Sequence, residues 1–217
     1  MKTLGIIALG ATALTFATPA MAADVLDFEG VANGGQVGSF YGPNYVFSPS
    51  ALGLVDADAG GDGNFANEPS PNTIMYFSDA NNAILNAING FTTGFSFFYT
   101  SSTAATINVY DGLNGTGNIL ASLNLVGQFN DNCAGDPNGG FCNWTAVGVN
   151  FAGTAYSIDF GGTAGQTGYD NITFGDATPG GAVPEPATWA MLFLGFAAIG
   201  GAMRARKGRE SLAVRYA

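Results

Sequence analysis

The chain has 217 residues, of which 47% are hydrophobic and only 10% charged, and it contains no histidine. The lack of histidine excludes Ser-His-Asp and Cys-His nucleophile systems and every His-ligated metal site. All six basic residues lie near the two ends, and residues 23–183 hold 14 of the 16 acidic residues with no Lys or Arg, a formal charge of −14. This main body therefore has no lysine for a Schiff base, no arginine clamp for phosphate and no basic patch for nucleic acid.

Residues 1–22 have the features of a secretory signal peptide. Lys2 provides a short positive segment, residues 4–16 are apolar, and Ala20-Met21-Ala22 is a small-x-small cleavage site. We expect cleavage between Ala22 and Ala23, which exports the rest of the chain across the inner membrane. The alternative is an uncleaved membrane helix, but the apolar run is short for a bilayer span.

Residues 23–177 predict an all-β fold. Short runs rich in Val, Ile, Phe and Tyr recur between turn-forming residues, which is typical of antiparallel strands. We predict nine strands, at 25–28, 44–47, 73–77, 94–100, 105–110, 119–125, 144–151, 155–160 and 169–174. Residues 80–88 could form one short helix, and the Gly-rich loop at 111–117 predicts a hairpin. Nine strands in a segment of this length favour a single antiparallel jelly-roll-like β-sandwich.

An acidic, Gly-rich loop within this body is a candidate cation site. Asp56, Asp58 and Asp62 alternate with small residues, and carboxylates spaced in this way can surround Ca²⁺. The loop is not an EF-hand, because Gly60 and Asn67 occupy the fifth and twelfth ligand positions. A solvated acidic loop without an ion remains the alternative.

The only two cysteines, Cys133 and Cys142, are predicted to form a disulfide. Cysteines that lie close together in an exported protein usually pair, and the intervening residues are turn formers that allow the ends to meet. Two free thiols are the alternative. Six aromatic residues in or beside loops could stack on sugar rings or simply belong to the core: Tyr41, Tyr45, Phe65, Tyr76, Phe129 and Trp144.

The last 40 residues predict a membrane anchor. A Pro/Gly linker at 178–186 precedes an apolar stretch at 187–203, which as a helix is just long enough to cross a bilayer. A basic tail at 204–217 follows, and the positive-inside rule places it in the cytoplasm. This topology leaves the body on the outer side of the inner membrane.

The same tail resembles the PEP-CTERM sorting signal in its PEPxxWA variant. The residues that carry the resemblance are Pro184, Glu185, Pro186, Trp189 and Ala190, followed by Arg204, Arg206 and Lys207. The resemblance implies a Gram-negative bacterium that makes exopolysaccharide, and processing of the tail by an exosortase, a membrane-embedded transpeptidase. A plain single-pass anchor is the alternative.

The two ends of the body show a second resemblance. Leu26-Asp27-Phe28-Glu29-Gly30 and the strand at 168–174 are similar to the first and last strands of galactose-binding-like jelly rolls, which include carbohydrate-binding modules. The resemblance implies a structural Ca²⁺ held by acidic residues near both termini, here Glu29 and Asp170 with Asp27 beside them. Alternatively, Asp27 and Asp170 are ordinary strand-end and turn residues.

These observations predict an exported, non-enzymatic binding or structural protein of the cell surface or extracellular matrix, associated with exopolysaccharide or biofilm. Its expected partners are an exosortase, the inner membrane before processing, and an exopolysaccharide, with no role for nucleic acid. A carbohydrate hydrolase with two catalytic carboxylates is one alternative, although no spacing singles out such a pair. A permanently anchored structural protein without a ligand is the other.

Overall fold

The computed structural model describes residues 23–129, 133–134, 139–180, 192, 194–197, 199–200 and 204. The predicted signal peptide therefore lies outside the described residues, and most of the predicted membrane anchor does too. The described part of the body contains one 3₁₀ turn, Ala57–Ala59, and eleven strands. The strands are β1 (Val25–Leu26), β2 (Tyr45–Phe47), β3 (Leu52–Val55), β4 (Thr73–Tyr76), β5 (Asn82–Phe91), β6 (Gly94–Ser101), β7 (Ala105–Tyr110), β8 (Ile119–Leu125), β9 (Thr145–Asn150), β10 (Ala155–Gly161) and β11 (Thr167–Phe174).

The strands form two antiparallel sheets, which confirms the predicted β-sandwich. The first sheet has the order β3-β4-β11-β6-β9, and β1 pairs with β11 beside β4. The second sheet has the order β2-β5-β10-β7-β8. Two pairs of consecutive strands lie side by side, β3 with β4 and β7 with β8, the latter across the predicted hairpin loop.

The core is built from the inward-facing side chains of the strands of both sheets. Phe95 and Phe97 of β6 alternate with outward residues, as the period of a strand requires. Phe160 of β10 packs edge-on against both rings at 5.8 Å and against Tyr169 of β11 at 4.9 Å. These four side chains are fully buried, and edge-to-face aromatic packing of this kind stabilises the contact between the two sheets.

The predicted short helix at 80–88 was wrong, because residues 82–88 belong to the ten-residue strand β5. Alanine is a good helix former, but Ala83, Leu85 and Ala87 alternate with more exposed residues and are buried. Strand β5 lies between β2 and β10 in the second sheet. Its small inward side chains allow the two sheets to approach closely at these positions. Strand β3 was also not predicted; its Gly53 leaves room for Val31, whose side chain would lie 2.6 Å from an added Cβ.

Both ends of the body lie at the same end of the sandwich, here called the proximal end. Val25 pairs with Thr173, and the Phe174 N–H donates to the Asp24 carbonyl. Because the strands are antiparallel, the opposite end, here called the distal end, carries the turn from β10 to β11 and the long connection from β8 to β9.

After β11, residues 175–180 form a strap across the outer face of β6 and β9. The Ser96 hydroxyl donates to the Asp176 carbonyl at 2.8 Å. The backbone passes so close to Gly148 that an added Cβ would lie 1.9 Å from the Ala177 carbonyl oxygen. The Gly180 N–H donates to the Thr173 hydroxyl at 3.4 Å, so the strap contacts the sandwich as far as Gly180.

Within the tail, residues 192, 194–197, 199–200 and 204 are helical and exposed. In the part of the chain that the structure describes, no helix has both the length and the apolar character needed to cross a membrane. Most of the predicted span at 187–203 lies outside that part.

Candidate functional site

The most unusual carboxyl group of the body belongs to Asp170 in β11. This strand pairs with β4 at Gly168 and Tyr169 and with β1 at Ile172 and Thr173. Asp170 therefore lies between the part of β11 that pairs with β4 and the part that pairs with β1. On the other side of β11, a bulge interrupts the pairing with β6 at the same place. The gap brings two loops onto Asp170, whose side chain is fully buried.

The Asp170 carboxyl group is held by three hydrogen bonds. It accepts from the Ser70 N–H at 2.7 Å, from the Ser70 hydroxyl at 2.9 Å and from the Asn171 N–H at 2.6 Å. Burial raises its pKa to about 7, the three hydrogen bonds oppose that shift, and the negative charge of Glu29 adds to it. No lysine or arginine lies in the body to neutralise the charge, so ionised Asp170 is a buried anion without a cation.

The structure brings Glu29 close to Asp170 but turns the Asp27 side chain away. Glu29 Oε1 accepts hydrogen bonds from the Asn72 and Thr73 N–H groups, each at 2.8 Å. The Asp27 carboxylate is exposed and accepts from the Glu29 N–H and the Tyr41 hydroxyl. Asp27 instead contributes its backbone carbonyl to the cluster around Ser70.

The hydroxyl of Ser70 lies among more acceptor oxygens than it can serve. It is 2.9 Å from Asp170 Oδ1, 3.0 Å from the Asp27 carbonyl and 3.2 Å from the Thr73 carbonyl. A hydroxyl has one proton to donate, so at most one of these acceptors receives it. The Asp27 and Thr73 carbonyls and Asp170 Oδ1 therefore compete for a single proton.

Two residues with left-handed backbone flank this oxygen cluster. Phe28, between Asp27 and Glu29, has φ of 60°, and Asn171, after Asp170, has φ of 48°. Asparagine tolerates this conformation, whereas a bulky side chain such as that of Phe28 rarely adopts it. Strain of this kind often accompanies a site at which the fold holds groups in place for a ligand.

The residues of the cluster fit a calcium ion in their chemistry. Ca²⁺ binds oxygen ligands, including carboxylates, carbonyls and hydroxyls, and the cluster supplies Asp170, Glu29, Ser70 and the carbonyls of Asp27 and Thr73. Within the described residues no three His, Cys, Asp or Glu side chains gather as a metal-binding group. A site with three carboxylates is therefore not formed here, and carbonyl oxygens would complete the ligand set.

The second acidic loop is more open. The 3₁₀ turn separates its members, because Asp56 is buried before the turn while Asp58 and Asp62 are exposed. The Asp62 carboxylate accepts a hydrogen bond from the Asn33 amide at 2.7 Å. The three side chains do not gather as one ligand group.

The predicted disulfide between Cys133 and Cys142 is confirmed, with a Cα–Cα distance of 5.3 Å. It ties together the connection from β8 to β9 at the distal end. Phe141 beside it packs edge-on against Phe129 at 5.0 Å and belongs to a small cluster with Phe65 and Ile74. The disulfide thus holds a second, smaller hydrophobic core.

Most of the aromatic residues considered as sugar contacts have structural roles. Tyr45 stacks on Phe174 at 4.5 Å, Tyr41 packs beside the main core, and the Trp144 indole donates to the Ala66 carbonyl. Phe129 is half exposed. Phe40, which the sequence analysis did not consider, is equally exposed, but no repeating pattern marks it in the sequence.

The sorting residues from Pro184 to Ala190 lie outside the described residues, as do Arg206, Lys207 and Ala22. Arg204 is helical and exposed, and Ala23 begins the described body. Residues 182–207 match the PEP-CTERM protein-sorting motif. This range contains every sorting residue named from the sequence, from Pro184 to Lys207.

None of the curated proteins compared with this chain matches its sequence. Three solved structures are similar in fold at low identity. A family 6 carbohydrate-binding module whose binding sub-sites were dissected is 13% identical, with a TM-score of 0.38 over 70% of this chain and 92% of that one. CsCBM6-3 from Clostridium stercorarium, in complex with cellobiose, is 14% identical, with a TM-score of 0.39 over 71% and 94%. A family 43 arabinoxylan arabinofuranohydrolase from Bacillus subtilis, in complex with cellotetraose, is 17% identical, with a TM-score of 0.37 over 60% and 26%.

Proposed function

Because the chain carries a PEP-CTERM protein-sorting motif, we propose that it is delivered by an exosortase to the cell surface or extracellular matrix of a Gram-negative bacterium. There its β-sandwich serves as a non-enzymatic module associated with exopolysaccharide or biofilm. The observation that carries this proposal is the motif at 182–207 behind a β-sandwich. The motif indicates export and exosortase processing, and the membrane anchor is a transient stage of that route.

We further propose that Ca²⁺ stabilises the sandwich by binding the oxygen cluster around Ser70 and Asp170. The support is the surplus of acceptors at Ser70, which a divalent cation would join. The ion would also neutralise the buried Asp170 carboxylate where no lysine or arginine is available. Its role would be structural, because the cluster is buried between β11 and the loops at 27–29 and 70–73.

The burial of Asp170 argues against a hydrolase at this cluster. A general acid needs a raised pKa, which Asp170 has. It also needs contact with the substrate, and the Asp170 side chain has no exposed surface. The raised pKa is therefore better explained by a structural role than by catalysis.

The sorting proposal is tested by replacing Pro184, Glu185 and Pro186 together with alanine in the full chain in its native host. We expect the variant to remain in the inner-membrane fraction at its unprocessed size, while the parent protein reaches the surface or medium. Deleting the host exosortase should give the same result. The matched control is Pro179→Ala in the strap, which should be sorted normally. Normal delivery of the triple variant would contradict the proposal.

A further inference from the structure

The outer face of the second sheet carries rows of neutral polar side chains at the distal end. Thr106 of β7 lies opposite Asn124 of β8, and its hydroxyl donates to the Asn124 side-chain oxygen at 3.2 Å. In the next row, Ser122 donates to the Asn108 side-chain oxygen at 2.7 Å. In both rows the asparagine side-chain oxygen accepts this hydrogen bond. The side-chain N–H groups of Asn124 and Asn108 therefore remain able to donate to a ligand.

A shallow trough lies at the distal end of these rows. Thr106 and Asn124 line it together with Gly161 and Gly162, and its volume is about 390 Å³. It is open to solvent along its length, so it suits a ligand that lies on the surface. Gly161 has no side chain to fill the trough, and an added Cβ would lie 2.4 Å from the Thr106 carbonyl oxygen.

The charge of this face restricts the ligand. The acidic neighbour in the second row is Asp159, which lies opposite Asn108 and accepts a hydrogen bond from Asn82. The body supplies no lysine or arginine to pair with an acidic ligand. Hydroxyl groups of a neutral sugar can both donate to and accept from amide and hydroxyl side chains, so they suit these rows, whereas uronate or phosphate groups would be repelled.

The position of the trough is also suited to an external polymer. The described ends of the body lie at the proximal end, and the last of these residues, Gly180, donates to the Thr173 hydroxyl there. The trough lies at the distal end beside the connection from β8 to β9. A protein held by its tail therefore presents this face away from its attachment.

We propose that the Thr106–Asn124 trough and the adjoining Asn108–Ser122 row bind a segment of neutral polysaccharide. This inference deepens the proposed function by naming the ligand class and the face that binds it. It rests on the proposed function only for the location at which the protein meets its ligand, the cell surface or matrix. Binding is through hydrogen bonds to sugar hydroxyls along the rows. The two rows lie two residues apart along each strand, about 6.6 Å at the rise of a β-strand, so a sugar chain that runs along β7 and β8 contacts both rows.

The test measures binding of cellotetraose, xylotetraose and mannotetraose to the detergent-solubilised full chain by calorimetry, with tetragalacturonate as the anionic comparison. We expect at least one neutral tetrasaccharide to bind and tetragalacturonate not to bind. The double variant Thr106→Val with Asn124→Leu should weaken that binding about ten-fold or more, since each neutral hydrogen bond accounts for roughly a three- to ten-fold change. Both positions are exposed, so the melting temperature should change little.

The matched control is Asn89→Leu with Thr154→Val, an exposed pair at the proximal end in which Asn89 donates to Asn44. It should bind the sugar as the parent protein does. Absence of binding to all three neutral probes, equal losses in the two double variants, or preference for tetragalacturonate would overturn the inference. So would a dimer that only the distal variant disrupts, because the face would then be a contact between copies. The sorting experiment is independent, so failure of one proposal does not imply failure of the other.

Discussion

At the scale of single residues, Asp170 is a buried carboxyl group for which residues 23–183 offer no lysine or arginine. A buried carboxyl group normally has a basic partner or stays protonated. Here the negative charge of Glu29 makes ionisation of Asp170 harder still. The contact that defines the site joins Ser70 to Asp170, one hundred residues apart.

The first prediction concerns calcium. Adding millimolar Ca²⁺ to the metal-free full chain at pH 7.5 should raise its melting temperature, because binding to the folded state alone stabilises it. Asp170→Asn should lose most of this increase, since a carboxylate ligand is removed. The matched control Asp62→Asn, in the open acidic loop, should keep it. Thermal unfolding followed by circular dichroism checks all three, and an equal response in all would show that Ca²⁺ does not act through Asp170.

The second prediction concerns pH. The folded-state pKa of Asp170 is about 7, above its ordinary value of 3.8, so the folded state binds more protons between these two values. The metal-free protein should therefore lose stability as pH rises from about 4 to 7, by up to about 4 kcal/mol from this group. Urea unfolding at pH 5 and pH 8 measures the change. Asp170→Asn should reduce the difference, and a parent protein equally stable at both pH values would contradict the prediction.

At the scale of elements, alternation predicted most strands well because their inward residues are large and their outward residues polar. The pattern Phe95, Phe97, Tyr99 in β6 is of this kind. Strand β5 was not predicted because the residues at its inward positions are small, with Ala83 and Ala87 on either side of Leu85. Sequence spacing therefore identified strands with large core residues and missed two whose inward positions are small, β5 and β3, the latter with the buried Gly53.

The candidate calcium site could be predicted only in part. Asp170 and Glu29 were named from short strings near the two ends of the body, and β1 does pair with β11. Ser70 was not named, because a serine before Pro71 has no sequence feature that indicates a partner one hundred residues away. Nor could the alternation show that the Asp27 side chain turns outward and only its carbonyl joins the cluster.

The third prediction concerns the packing of the strap at 175–180 against Gly148 of β9. Gly148→Ala should destabilise the body by about 1–3 kcal/mol, the usual cost of forcing extra atoms into a packed place, because its Cβ would meet the Ala177 carbonyl oxygen. The matched control is Ala146→Val on the same face of β9, which is exposed and should be nearly neutral. Urea unfolding of both variants measures the difference. A Gly148→Ala protein as stable as the parent would show that the strap does not pack there.

At the scale of the whole molecule, charge and topology agree on one arrangement. A formal charge of −14 on residues 23–183 keeps the body soluble and repels anionic polymers unless divalent ions join them. The described ends of the body lie at the proximal end, and the Thr106–Asn124 row lies at the distal end. This arrangement is compatible with the proposed attachment through the tail.

The measurement that tests the central claim most directly is the intact mass of the protein isolated from its native host, taken separately from the inner-membrane, surface and medium fractions. Delivery by an exosortase predicts a surface or medium species that begins at Ala23 and ends near Pro184–Pro186, with added mass if the new end is attached to another molecule. A species that ends at Ala217 and is confined to the inner membrane would contradict delivery, and the protein would then be a permanent membrane-anchored sandwich.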